Sequence, residues 1–187
     1  MLLDGCIIPT DTIARRTDIM QKTIYEHYFR GLESDFSKET FKPIKNIKFV
    51  KPEGGFWASA TNANYGWKQW CNDECESWAE GIPFKFTLKD DSKILYIHDI
   101  ADIPVADYTT VHEIVDTPFT EDIKNQINAD NNAFLLPRIH FDFEELSKKY
   151  DGIEIDAGSN PKLYYAFYGW DCDSICIFNP DIIMEVE

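Results

Sequence analysis

The sequence has no long apolar run and little positive charge. No stretch approaches the roughly 18 apolar residues of a membrane-spanning helix. Its first residues, MLLDGCIIPTDTIARR, have neither the basic start nor the apolar segment of a secretory signal. Lys and Arg total 18 against 33 Asp and Glu, so the formal net charge is −15. We therefore expect a cytoplasmic protein that stays off membranes and does not bind nucleic acid through a basic surface.

The acidity leaves open whether the charge only keeps the protein soluble or also attracts a basic protein partner. The cysteines are odd in number, which without a secretory signal indicates reduced thiols. They are Cys6, Cys71, Cys75, Cys172 and Cys176. Two pairs at four-residue spacing could hold one zinc ion, but free cysteine is more commonly a small buried apolar residue. We expect no metal.

The 187 residues fit one domain, preceded by an N-terminal extension at 1–22. A hydrophobic fraction of 44% with 14% aromatics argues against disorder. Strands and helices alternate irregularly, and FKFTLK followed by KILYIHDI predicts a hairpin over 84–97. The fold class expected is therefore α+β, with mixed, mostly antiparallel sheets and flanking helices.

The elements follow from apolar spacing and capping residues. The predicted strands cover 23–30, 47–50, 56–59, 84–89, 93–100, 152–155 and 174–178, the last apolar throughout and therefore central. The predicted helices cover 65–80, a segment starting at Thr120, 142–150 and 160–170. Trp67, Trp70 and Trp78 share one face of the first helix, which favours core packing, with Trp67 alone placed to contact a ligand.

The segment KPEGGFWAS at 51–59 is the first candidate for a binding site. Gly54 and Gly55 either let the backbone approach a ligand closely or form a simple hairpin turn. Phe56 and Trp57 point to opposite faces of the following strand. Either one of them leaves the core or enters a cleft, or both are core residues beside a simple turn.

Two acids precede the last predicted strand. Asp171 and Asp173 lie two residues apart, which on a strand places both on one face. Such a pair suits proton transfer or stabilisation of a cationic centre, or it is simply a solvated strand end.

Five segments together resemble phage and bacterial proteins with an ADP-ribosyltransferase-type fold. The resemblance runs from Tyr25 to Ile183 and rests on His27-Tyr28, FKPIKN at 41–46, KPEGGFWAS, YGWKQWC at 65–71 and WDCDSICIFNPDI. It implies that three motifs on separate strands converge on a cleft that holds NAD as co-substrate.

The resemblance also implies roles for individual residues. His27, with Arg30 as runner-up, would bind the ribose or phosphates, Ser59 would supply a polar group, and Tyr65 would stack on nicotinamide. The complete cofactor-binding set is His27, Tyr28, Arg30, Gly55, Trp57, Ser59 and Tyr65. Asp173 would be the catalytic acid, with Asp171 beside it, where the family usually has a longer Glu.

We therefore expect an enzyme that transfers ADP-ribose from NAD to a macromolecular acceptor or to water. Because nicotinamide leaves with oxocarbenium-like character, a carboxylate near the ribose would stabilise the developing charge. Two alternatives stay open: a non-catalytic acidic protein that inhibits a basic host protein, for example from a phage, and a family member that has lost its ligand.

Overall fold

The computed structural model describes residues 22–29, 36–47, 51–112, 117–132 and 136–186. These residues form ten β-strands and four α-helices. The strands are β1 (Tyr25–His27), β2 (Phe56–Ala60), β3 (Phe84–Leu88), β4 (Ile94–Ile97), β5 (Thr109–His112), β6 (Thr117–Pro118), β7 (Arg138–Phe141), β8 (Gly152–Ile155), β9 (Ser174–Ile177) and β10 (Ile183–Glu185). The helices are α1 (Trp67–Glu74), α2 (Glu121–Ala129), α3 (Phe143–Leu146) and α4 (Pro161–Ala166).

Seven of these strands form one large sheet in the order β10-β3-β1-β2-β9-β8-β4. Every neighbouring pair is antiparallel except β4 and β8, which run parallel. A second sheet, in the order β6-β5-β7, is antiparallel throughout. The protein is therefore a single α+β domain with mostly antiparallel sheets, as the sequence predicts.

The large sheet is strongly curled. β3 and β4 are separated by residues 89–93 only, yet they stand second and last in the strand order. Five linking residues span at most about 20 Å, so the two ends of the sheet approach each other. Apolar side chains on the inner face form one core cluster, which comprises Tyr25, Ala58, Phe86, Ile175, Ile177 and Ile182.

The predicted hairpin over 84–97 is wrong, although both of its strands exist. β3 lies between β1 and β10, so both of its edges are already paired. β4 pairs with β8 at the opposite end of the sheet. A short polar link between two strands is compatible with a hairpin. It is equally compatible with a curled sheet in which the second strand lies at the far edge. The strands that pair with β3 and β4, which come from distant parts of the chain, favour the curled sheet.

The outer face of the curled sheet carries the larger core. β9 is buried along its whole length between β2 and β8, as its continuous apolar sequence predicts. Strand side chains such as Ile97, Ile155 and Cys176 share a cluster with the fully buried Phe167 and Trp170. The core therefore fixes the chain that leads into β9, the segment in which the sequence places its catalytic acids.

The predicted helix over 65–80 is divided. α1 ends at Glu74, because Cys75 takes a non-helical conformation (φ −160°, ψ 76°), and a 3-10 turn follows over Glu76–Ala79. Trp67, Trp70 and Trp78 are half-buried and stack on one another instead of joining either core cluster. The residue of α1 that is buried is Cys71.

Other helix boundaries agree with the capping residues. Thr120 accepts a hydrogen bond from the Ile123 amide at the start of α2, and Asn160 accepts two from the first turn of α4. Across the described part of the chain, none of the helices has the length and apolar content needed to cross a bilayer. Residues 48–50 of a predicted strand, and all of the N-terminal extension but Lys22, lie outside the described residues.

Candidate functional site

A cavity of about 240 Å³ opens beside β1 and β2, and we call it the first cavity. β1 and β2 pair antiparallel, and the chain that follows β2 turns at Gly66 into α1, which brings Trp67 to the cavity wall. The segment leading into β9 supplies the remaining wall. The lining residues are Glu26, His27, Tyr28, Lys51, Trp57, Ala58, Trp67, Cys172 and Ser174.

Trp57 forms a fixed aromatic wall of this cavity. Its Nε1 donates to the Gly54 carbonyl over 3.1 Å, and its ring lies 4.8 Å from the ring of the fully buried Trp170. Phe56 lies on the opposite face of β2, packed against the inner core cluster. The two rings thus lie on opposite faces of β2, and Trp57 lines the first cavity while it also packs against the larger core cluster.

Lys51 supplies the cavity's positive charge. Its Nζ lies 2.9 Å from Asp171 Oδ2 and 5.7 Å from the centroid of the Trp57 ring. Both side chains of the ion pair are partly exposed, at 36% for Lys51 and 40% for Asp171. Asp171 is not a lining residue of the first cavity, but it is paired with Lys51, which is one.

His27 and Tyr28 both line the first cavity, as their assignment to ligand binding requires. The His27 Nδ1 lies 2.5 Å from the Trp57 carbonyl, and because a carbonyl only accepts, Nδ1 is the donor. The His27 ring packs 4.5 Å from Phe56. Tyr28 is buried, and its burial raises the pKa of its hydroxyl. The negative charge of Glu26 raises this pKa further, by a smaller amount. Both side chains are thereby part of the wall itself.

The thiol of Cys172 also lines the first cavity. Burial raises the pKa of Cys172 to about 11, so the neutral thiol dominates at neutral pH. A neutral thiol is a poor nucleophile and a poor metal ligand. No group of three or more His, Cys, Asp or Glu residues within the described ranges is arranged to hold a metal ion.

Ser59 and Asp173 belong to a buried hydrogen-bond network behind the cavity wall. The Ser59 hydroxyl donates to the Asp173 carbonyl over 2.7 Å and accepts from the Trp67 amide over 2.9 Å. The Asp173 carboxylate accepts from the amides of Tyr65 and Ser159, at 3.0 and 2.8 Å. The Asp173 carboxylate therefore joins the segment before β9 to the chain at Tyr65 and at Ser159. The Ser59 hydroxyl holds the first amide of α1.

Tyr65 does not line the first cavity. Its hydroxyl donates to Asp73 on α1 over 2.7 Å, and this bond, with burial and the Asp73 charge, raises the pKa of Tyr65 to about 12. The ring also packs closely on Gly158. The structure therefore separates Tyr65 from the aromatic residues that line the first cavity, which are Tyr28, Trp57 and Trp67.

A second cavity, of about 200 Å³, lies at the other side of Asp173. Its polar wall contains His98, whose Nδ1 lies 2.7 Å from Asp156 Oδ2 in the same wall, and Glu154, which accepts a hydrogen bond from the Tyr25 hydroxyl over 2.6 Å. Burial raises the pKa of Glu154 above its usual value, against the opposing effect of the Tyr25 hydrogen bond. Asp173 lines this second cavity and not the first.

The structure thus brings together His27, Tyr28 and Trp57, and adds Asp171 through Lys51. Asp171 and Asp173 face different partners, because the chain bends at 172–173 and β9 starts only at Ser174. Gly55 approaches the protein's own core, since a Cβ there would lie 2.7 Å from Cys176 Sγ. Arg30 lies outside the described residues.

Sequence reasoning overlooked several cavity residues. Glu26 was not singled out, although it lies two residues before Tyr28, a predicted ligand-binding residue, and strand alternation places the two on the same face. Lys51, which immediately precedes the PEGG turn, was not singled out either, whereas Trp67 was the one tryptophan expected to be placed for ligand contact, and it lines the first cavity.

Comparison with known proteins adds no family assignment: no family model, no curated protein and no solved structure matches the chain.

Proposed function

We propose that this protein is an ADP-ribosyltransferase-like enzyme that uses NAD and binds its nicotinamide–ribose end in the first cavity. The observation that carries the proposal is the convergence of His27, Tyr28 and Trp57 on that cavity. An aromatic wall held by a hydrogen bond to Gly54 suits stacking against a flat ring. The volume of about 240 Å³ fits part of a dinucleotide, so the phosphates lie towards the partly exposed Lys51.

The carboxylate that this reaction needs is assigned to Glu26. Nicotinamide departs from the ribose carbon as positive charge develops there, and a fixed carboxylate nearby stabilises that charge. Within the described lining of the first cavity, Glu26 is the residue with a carboxylate. Asp173, the acid favoured by the sequence, has both carboxylate oxygens engaged by backbone amides, so its role is to position the segment that leads into α1.

The test is NAD turnover with matched glutamate variants. Saturating NAD raises the melting temperature of the wild type, and nicotinamide is released over time. Glu26→Gln keeps the thermal shift and loses the release, because the isosteric amide binds but carries no charge. Glu76→Gln, an exposed glutamate in the turn after α1, behaves as the wild type. Saturating NAD that gives neither a thermal shift nor nicotinamide refutes the proposal.

A second candidate is a protein that binds without catalysis. It is favoured by the engagement of Ser59 and Asp173 in structural hydrogen bonds, which leaves neither of them placed as a reacting group. In that case NAD shifts the melting temperature with no nicotinamide release even in the wild type. An acidic inhibitor of a basic protein would also capture its partner at low salt and release it at high salt, because exposed charges are screened.

A further inference from the structure

The ion pair between Lys51 and Asp171 is exposed, yet both residues emerge from fixed backbone. Pro52, which follows Lys51, is buried, and Glu53 exchanges two backbone hydrogen bonds with Lys45, at 2.9 and 3.0 Å. Asp171 directly follows the fully buried Trp170. The two charged heads are therefore held near each other at the cavity, while water reaches both of them.

An exposed ion pair contributes little to stability, because solvent screens it. Its partners can therefore exchange at small cost when another anion arrives. Lys51 is also the only Lys or Arg among the described residues that line the first cavity. In a chain with a net charge of −15, an anionic ligand is repelled at long range, and a local cation must offset that repulsion.

The charges of the first cavity differ from wall to wall. Glu26 contributes a carboxylate, whereas Lys51 contributes an ammonium group beside the Trp57 ring. A ligand that is cationic or neutral at one end and carries phosphate at the other matches this arrangement. A dianionic pyrophosphate can hold the Lys51 ammonium more strongly than one carboxylate does.

We propose that Lys51 is the phosphate-binding residue of the first cavity, and that Asp171 occupies its ammonium group until the diphosphate of a nucleotide ligand displaces it. The inference rests on the proposed function, and it gives Asp171 the role of a competing anion and not of a catalytic acid. The first cavity would therefore bind a nucleoside diphosphate more tightly than the corresponding nucleoside.

The experiment compares ADP-ribose, nicotinamide riboside and inorganic pyrophosphate as ligands of the whole chain, by calorimetry at low salt. Lys51→Gln weakens the binding of ADP-ribose and of pyrophosphate by about tenfold, which is the effect of losing one charge-assisted hydrogen bond. The affinity for nicotinamide riboside stays unchanged. Asp171→Asn strengthens binding of the two phosphate ligands, because the ammonium group loses its competitor. Circular dichroism checks that each variant is folded.

The matched control is a second exposed ion pair, Lys38 with Asp181, whose atoms are 2.6 Å apart and which does not line the first cavity. Lys38→Gln and Asp181→Asn leave all three affinities at the wild-type value. If they act as the Lys51 and Asp171 variants do, the effect is general electrostatics and the inference fails.

The outcomes separate the inference from the function on which it rests. Lys51-dependent pyrophosphate binding without nicotinamide release from NAD supports the phosphate site and refutes the enzyme. Nicotinamide release from NAD with no effect of Lys51→Gln on ADP-ribose or pyrophosphate refutes the phosphate site alone. No binding of any of the three ligands to the wild type refutes both.

Discussion

Replacing Gly55 by alanine tests whether its backbone serves the protein's own packing or a ligand. Gly55 has φ +71°, in the left-handed region that costs other residues about 1–2 kcal/mol. A Cβ at this position would lie 2.7 Å from Cys176 Sγ, 2.9 Å from the Ile177 carbonyl and 2.9 Å from a methyl carbon of Ile44. Overpacking of this kind costs about 1–3 kcal/mol more. We therefore expect Gly55→Ala to lower the free energy of unfolding by about 2–5 kcal/mol in all.

Gly81→Ala isolates the packing contribution. Gly81 has φ +95°, so alanine is strained there at least as much as at Gly55. Nothing lies within 4 Å of a Cβ built at Gly81, however. Urea unfolding monitored by tryptophan fluorescence gives both losses from the midpoint and the slope. We expect the loss at Gly55 to exceed that at Gly81 by about 1–3 kcal/mol. Equal losses, together with weakened ligand binding by Gly55→Ala, would show that the glycine makes room for a ligand.

Three further predictions concern single contacts. Asp173→Ala lowers the unfolding free energy by about 1–3 kcal/mol in urea titrations, because two buried amides lose their acceptor; a loss no larger than an exposed Asp→Ala change would contradict the network. Asn160→Ala removes the cap of α4 and costs about 0.5–2 kcal/mol, while Asn160→Asp retains most of the stability. Partial burial lowers the pKa of His98, but the hydrogen bond and charge of Asp156 outweigh this effect and raise it above 6.5. This stabilisation is fully present below about pH 6.5 and is lost as the pH rises through the folded-state pKa; an NMR titration in which Asp156→Asn leaves the His98 pKa unchanged would refute the pairing.

Local sequence signals located most strands and helix starts correctly. The alternation in FKFTLK gave β3, the continuous apolar run gave β9, and Thr120 marked the start of α2. These signals depend on side-chain period and on capping within a few residues, so they are readable without tertiary information. The same local information failed for the hairpin, because the partners of β3 and β4 come from distant parts of the chain.

The candidate site was predictable in part for the same reason. Trp57 could be placed at a cleft because alternation along β2 forces it away from Phe56. Asp173 drew attention as an acid before a late strand, but its two amide partners come from segments 108 and 14 residues away. A carboxylate that reacts and one that holds backbone look alike in sequence, and only the identity of the neighbouring donors separates them.

The sequence by itself determined an acidic α+β domain, six of the ten described strands, and an aromatic-rich segment around Trp57, but none of the strands β5, β6, β7 and β10. Tertiary structure alone decided three further points: the curl that separates β3 from β4, the separation of Asp171 from Asp173, which lines the second cavity, and the pairing of Lys51 with Asp171 beside the first cavity. The physical reason is range. Propensity, alternation and capping act over a few residues, whereas strand order and the pairing of charges depend on contacts between segments more than 100 residues apart.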